Sequence, residues 1–88
     1  MNEKREEKDL FLTILGKHIR RKRKQRQLTL EELAEEINGN DKHLGRLERG
    51  EKEASSYTLA LIQIALDLNS DDYLNEFLTA KQQWEQKN

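Results

Sequence analysis

The stretch from Thr29 to Gly50, TLEELAEEINGNDKHLGRLERG, constrains the fold of this chain more than any other. It reads as two short helices joined by a tight turn, LEELAEEI and then roughly DKHLGRLER. Leu33, Ala34 and Ile37 fall at i, i+1 and i+4, and Leu44 and Leu47 at i and i+3, so each helix turns one apolar face inward. Thr29 and Glu32 have the S/T-x-x-E spacing of a capping box just before the periodic residues. Asn38 and Gly39 supply a point where the backbone can take positive φ and the chain can reverse. Asn40 is then placed to cap the second helix. Two helices meeting at a short turn describe either a helix-turn-helix or an ordinary hairpin in a small bundle.

The remaining residues are consistent with an all-α domain. The 88 residues include no proline and only four glycines, while Leu, Glu, Lys, Gln and Arg are abundant. Hydrophobic residues make up 34% of the chain, so the core is small and oligomerisation is a common remedy for such a domain. The absence of cysteine excludes disulfides, thiol catalysis and thiolate metal sites. The longest apolar runs fall far short of the about 20 residues needed to span a bilayer. The N-terminal MNEKREEKD has no apolar segment like that of a signal peptide, which predicts a cytoplasmic protein.

The net charge of −1 hides an asymmetry. Between Leu10 and Leu30 there is no Asp or Glu, while Lys17, Arg20, Arg21, Lys22, Arg23, Lys24 and Arg26 are all basic. Lys42, Arg46, Arg49 and Lys52 add a second basic set, and from Glu53 onward six acids face two lysines. Charge alone fits a polyanion-binding half or a solvated helix face equally well.

Along the chain, residues 1–9 read as a flexible charged extension, 10–80 as the folded domain and 81–88 as the polar end of the last helix. A first helix is predicted from Leu10 to about Gln25, with Phe11, Leu15 and Ile19 in one stripe and Leu10, Ile14 and Leu12 widening it. That stripe is broader than one shallow contact needs, so part of it is expected to bury against something beyond the central helix pair. Leu28 is placed to plug the core. Gly50 ends the third helix with a left-handed residue. Ser55 or Ser56 caps a fourth helix over Tyr57–Leu66, with Leu59, Ile62 and Leu66 on one face. A fifth helix starts near Asp71, carries Tyr73, Leu74, Phe77 and Leu78 at helical spacing, and is polar after Ala80 except for Trp84.

Four segments in this order, LGKHIRRKR, LTLEELAEEI, HLGRLERG and TLALIQIALDLNSDDYL, resemble the phage-repressor type of helix-turn-helix, the Xre or Cro/repressor-like family of transcription regulators. The resemblance covers about Leu15 to Leu74. It implies a compact five-helix, lambda-repressor-like domain in which the second helix crosses the DNA backbone and the third, about residues 41–49, lies in the major groove. It assigns base contacts to Asp41, Lys42, Gly45 and Arg46. Arg and Lys donate to guanine O6 and N7, each good contact giving about 1–3 kcal/mol of discrimination. Asp41 fits a cytosine contact or a favourable acid in a first helical turn. The resemblance also implies an ion pair between Arg23 and Glu48, with phosphate contacts falling to Arg20, Lys24, Arg26, Thr29, His43 and Arg49. Two positions depart from the family pattern: Leu30 stands where a phosphate-binding Gln is usual, and Asn38-Gly39 where Gly and an apolar residue are usual.

The expected function is therefore sequence-specific recognition of double-stranded DNA at a palindromic operator, as a repressor, without enzymatic activity, cofactor or metal. His18 and His43 are far apart in sequence with no ligand cluster around them, and Glu31, Glu32, Glu35 and Glu36 read as a solvated face. The alternative is a protein-binding module of the same fold, an antitoxin or the partner of another regulator, acting through its C-terminal helix. Leu10, Phe11, Ile14, Phe77 and Trp84 are the residues expected at a homodimer or partner contact.

Overall fold

Strong helix formers dominate the sequence, and they produce five helices separated by short joints. In the computed structural model, which describes residues 3–87 and the side chains of 5–86, these are α1 (Glu3–Gln25), α2 (Leu30–Glu36), α3 (Asp41–Glu48), α4 (Ser56–Leu66) and α5 (Ser70–Lys87). There is no strand among the described residues. Helix α1 is the spine: its 23 residues run about 34 Å at 1.5 Å per residue, and α3, α4 and α5 all pack on it. Helix α2 packs on α3.

The core collects where these elements meet. Ile19, Leu33, Leu44, Ile62 and Leu66, one or two from each of α1 to α4, are each at most 2% exposed. Burying each side chain contributes about 1.5–3 kcal/mol. Leu28 is half-buried against this cluster, and Tyr73 from α5 closes it.

Four helix ends are built alike. Gln27, Asn38, Gly50 and Asp67 each take a left-handed backbone, with φ of 58, 52, 72 and 51°. In each case the next residue's amide bonds back across the last turn: Leu28 to Arg23 O, Gly39 to Ala34 O, Glu51 to Arg46 O and Leu68 to Gln63 O. At the α2–α3 turn it is Asn38, not Gly39, that supplies the positive φ.

Several expectations need correction. The first helix starts at Glu3, not Leu10, because its added turns find partners: Lys8 pairs with Glu53, and Glu7 with Lys81 of α5 at 2.9 Å. Residues 3–9 are thus helical, while Met1, Asn2 and Asn88 lie outside the described residues. The broad stripe of α1 is filled within the chain. Ile14 is in the core, and Phe11 packs edge-to-face on Tyr73 and Phe77, with ring centroids 6.1 and 5.2 Å away. Of the residues expected at a partner contact, Ile14, Phe11 and Phe77 are therefore occupied inside the domain, and Leu10 and Trp84 are half-buried. Leu74 and Leu78, which share the helical spacing of Tyr73 and Phe77, face outward instead.

Candidate nucleic-acid interface

Capping fixes both central helices at their starts. The Thr29 hydroxyl accepts from the Glu32 amide at 3.1 Å, and Glu32 Oε1 accepts from the Thr29 amide at 2.8 Å, completing the capping box. Asn40 Oδ1 accepts from the amides of Lys42 and His43, which orients the first turn of α3.

With Leu44 and Leu47 buried, the wheel of α3 turns Lys42, Arg46 and Arg49 outward together, all three exposed. Asp41 and His43 flank this face and are half-buried. Gly45 is buried. A Cβ there would lie 3.1 Å from Arg49 Nη1 and 3.6 Å from Leu30 Cδ1, so those two side chains cover it. Leu30, in the position where the family pattern has a polar residue, packs over the α2–α3 contact.

Behind this face, α1 meets α3 backbone to backbone. A Cβ on Gly16 would sit 2.5 Å from the carbonyl oxygens of both Leu47 and Glu48. Two turns further along α1, Arg23 Nε and Nη2 donate to the two oxygens of Glu48 at 2.6 and 2.9 Å, and Nη1 donates to Leu28 O at 2.8 Å. Both side chains are nearly buried, 11% and 5% exposed. The hydrogen bonds to Glu48 raise the Arg23 pKa above the ordinary guanidinium value, against the opposing effect of burial. This clamp fixes the end of α3 to α1 and to the joint before α2.

Arg20 and Lys24 are exposed on the part of α1 next to Gly16 and Arg23, beside α3, with Lys17 and Arg21 further round the same helix. Arg26 differs from the phosphate contact expected of it. Its Nη1 donates to Ala65 O at the end of α4 and pairs with Glu36 at 3.2 Å, so it ties α2 to α4. Thr29 has its hydroxyl oxygen engaged in the cap, and Arg49 is held by Glu51, Nε to Oε2 at 2.8 Å.

Three features were not read from the sequence. Gly16 is a helix crossing point, signalled only as a glycine within a helical pattern. His18 is 7% exposed, with Nε2 2.9 Å from Glu76 Oε1 and its ring against Tyr73, a link from α1 to α5. Glu51 meets both arginines of the α3 face, which its place two residues after Arg49 could have suggested. Among the described residues no group of His, Cys, Asp or Glu is arranged to hold a metal, and no helix is long and apolar enough to cross a membrane.

The helix-turn-helix family model matches residues 19–73, which contain α2, α3 and α4 whole. Two crystal structures of the clp gene regulator ClgR from Corynebacterium glutamicum are similar to this chain. One is 36% identical, covers 88% of this chain and 83% of its own, and has a TM-score of 0.70. The other is 38% identical over 78% of this chain and 88% of its own, with a TM-score of 0.69. The comparison with curated proteins gave no match.

Proposed function

The chain belongs to the helix-turn-helix family, a family of DNA-binding transcription regulators, and from that premise we propose that it binds a specific double-stranded operator with α3 in the major groove. The observation that carries this reading is the outward face of α3, where Lys42, Arg46 and Arg49 stand together on a helix anchored by Leu44 and Leu47. Lys42 and Arg46 read guanine edges with Asp41 beside them, while Gly45, expected at the groove, is left out because Arg49 and Leu30 cover it. Arg20, Lys24, His43, Arg49 and the N-terminal turn of α2 at Thr29 take phosphates, and Arg26 is left to its structural link with α4. The protein is non-enzymatic and cytoplasmic and needs no cofactor. It acts as a repressor, because a protein occupying the groove blocks the DNA it covers without any further contact.

A homodimer on a palindromic operator is supported by the outer side of α4. Tyr57, Ala60, Leu61 and Ile64 share one face at i, i+3, i+4 and i+7, and Tyr57 and Ile64 are 72% and 79% exposed. Such a stripe on a single helix can pair with its own copy about a two-fold axis, which would set two α3 helices about 34 Å apart. Sedimentation of the wild type against Ile64→Lys tests this: a dimer lost in the variant supports it, and a wild-type monomer at high concentration removes it.

The regulator reading is tested by binding to a pool of random duplex DNA at two salt concentrations, with sequencing of what is retained. An enriched palindromic motif whose binding weakens steeply with salt is the expected result. Weak binding with no enrichment would overturn it in favour of a protein-binding module acting through α4 and α5.

A further inference from the structure

We propose that Glu51 is a built-in competitor of DNA, a carboxylate that occupies Arg46 and Arg49 in the free protein and must be displaced when α3 engages a duplex. The inference rests on the DNA-binding reading above and adds to it a residue that lowers affinity.

The placement of Glu51 is set by the backbone. Gly50, with φ of 72°, turns the chain at the end of α3, and the Glu51 amide donates to Arg46 O at 2.9 Å. That turn lies flat on α1. A Cβ at Gly50 would come 3.0 Å from Thr13 Cα and 3.1 Å from Thr13 Oγ1, so the turn has little room to shift. From there the side chain folds back over the last turn of α3. Oε2 accepts from Arg49 Nε at 2.8 Å, Oε1 lies 3.4 Å from Arg49 Nη2, and Arg46 Nε is 3.9 Å from Oε1.

A carboxylate engages a guanidinium with the same paired geometry as a phosphate or the O6/N7 edge of guanine. The Nε and Nη2 edge of Arg49 cannot serve Glu51 and DNA together. The same arginine lowers the Glu51 pKa from its ordinary value, so the competitor stays ionised across the neutral range. Near a bound duplex its charge also faces phosphates of the same sign.

The test compares Glu51→Gln with wild type on a random duplex and on the site enriched from the pool, at several salt concentrations. Glu53→Gln is the control: it changes net charge equally, from a loop carboxylate paired with Lys8 of α1. Glu51→Gln is expected to tighten both DNAs about 3- to 10-fold at low salt and to steepen the salt dependence, with Glu53→Gln changing affinity less than about 2-fold. In an Arg46→Ala, Arg49→Ala background the Glu51→Gln step should shrink to the small, general charge effect that Glu53→Gln shows. Unchanged affinity in Glu51→Gln, or equal effects from Glu51→Gln and Glu53→Gln, overturns the proposal while an enriched site leaves the regulator reading standing. If no site is enriched but Glu51→Gln still tightens random-duplex binding, the competitor stands and sequence-specific recognition falls.

Discussion

Gly16 has no side chain at the point where α1 crosses the end of α3, and even a methyl group would press on two carbonyl oxygens. Gly16→Ala is therefore expected to destabilise the domain by about 1–3 kcal/mol, as overpacking does, although alanine is the better helix former. Urea unfolding checks it, and an unchanged midpoint would mean that the crossing is looser than described. Arg23 offers a second test. Its removal by Arg23→Ala strands the nearly buried carboxylate of Glu48 and leaves Leu28 O without its donor, at a cost of about 3 kcal/mol. Lys at this position cannot restore the paired bonds, so Arg23→Lys should recover only part of the loss in the same unfolding assay.

At the scale of elements, the seat of α5 against α1 and α4 carries its own pH signature. Tyr73 is 4% exposed, its hydroxyl donates to Gln63 Oε1 at 3.0 Å, and burial raises its pKa above the ordinary value of 10.0. A group whose folded pKa is raised contributes stability that is present below the unfolded value and lost as pH climbs through the folded one. The wild type should therefore lose stability above about pH 10, and Tyr73→Phe should remove part of that fall while lowering stability at neutral pH through the lost hydrogen bond. Unfolding midpoints measured from pH 8 to 11 separate the two effects. The same contact shows where the sequence stops being legible. The capping box at Thr29, the caps at Asn40 and Ser55 and the left-handed Gly50 are decided by residues within one turn, and they were readable. The sequence also showed that the α1 stripe was too broad, but its partner, the Phe11, Tyr73 and Phe77 cluster, depends on a contact distant in sequence. His18 and Glu76, far apart along the chain, had no shared local pattern. In the candidate interface, helical phase alone puts Lys42, Gly45, Arg46 and Arg49 outward; the three charged residues are exposed, but Gly45 is buried beneath the Arg49 and Leu30 side chains. The occupation of Arg26 by Ala65 and of Arg49 by Glu51 came from joints whose geometry periodicity does not describe.

For the molecule as a whole, an acidic protein with a pI near 6.1 can still bind a polyanion because its basic residues gather in the second half of α1 and on the outer face of α3. Two substitutions separate the roles assigned to that charge. Arg46→Ala should flatten the preference between operator and random duplex, by about 1–3 kcal/mol for the lost base contact. Arg20→Ala should weaken both alike and lower the salt slope by about one. Identical behaviour in a competition assay would collapse the distinction between reading and anchoring residues. The four left-handed joints at Gln27, Asn38, Gly50 and Asp67 have a consequence of another kind. In a saturation library sorted for folded protein, Gln27, Asn38 and Asp67 should form a common tolerance class, retaining Gly, Asn and Asp and shedding Val, Ile, Thr and Pro, while Gly50, where a Cβ would come 3.0 Å from Thr13 Cα, should retain glycine alone. Variant-abundance data would then record the helix boundaries directly, as four notches along the map whose spacing identifies the architecture without any reference to its function.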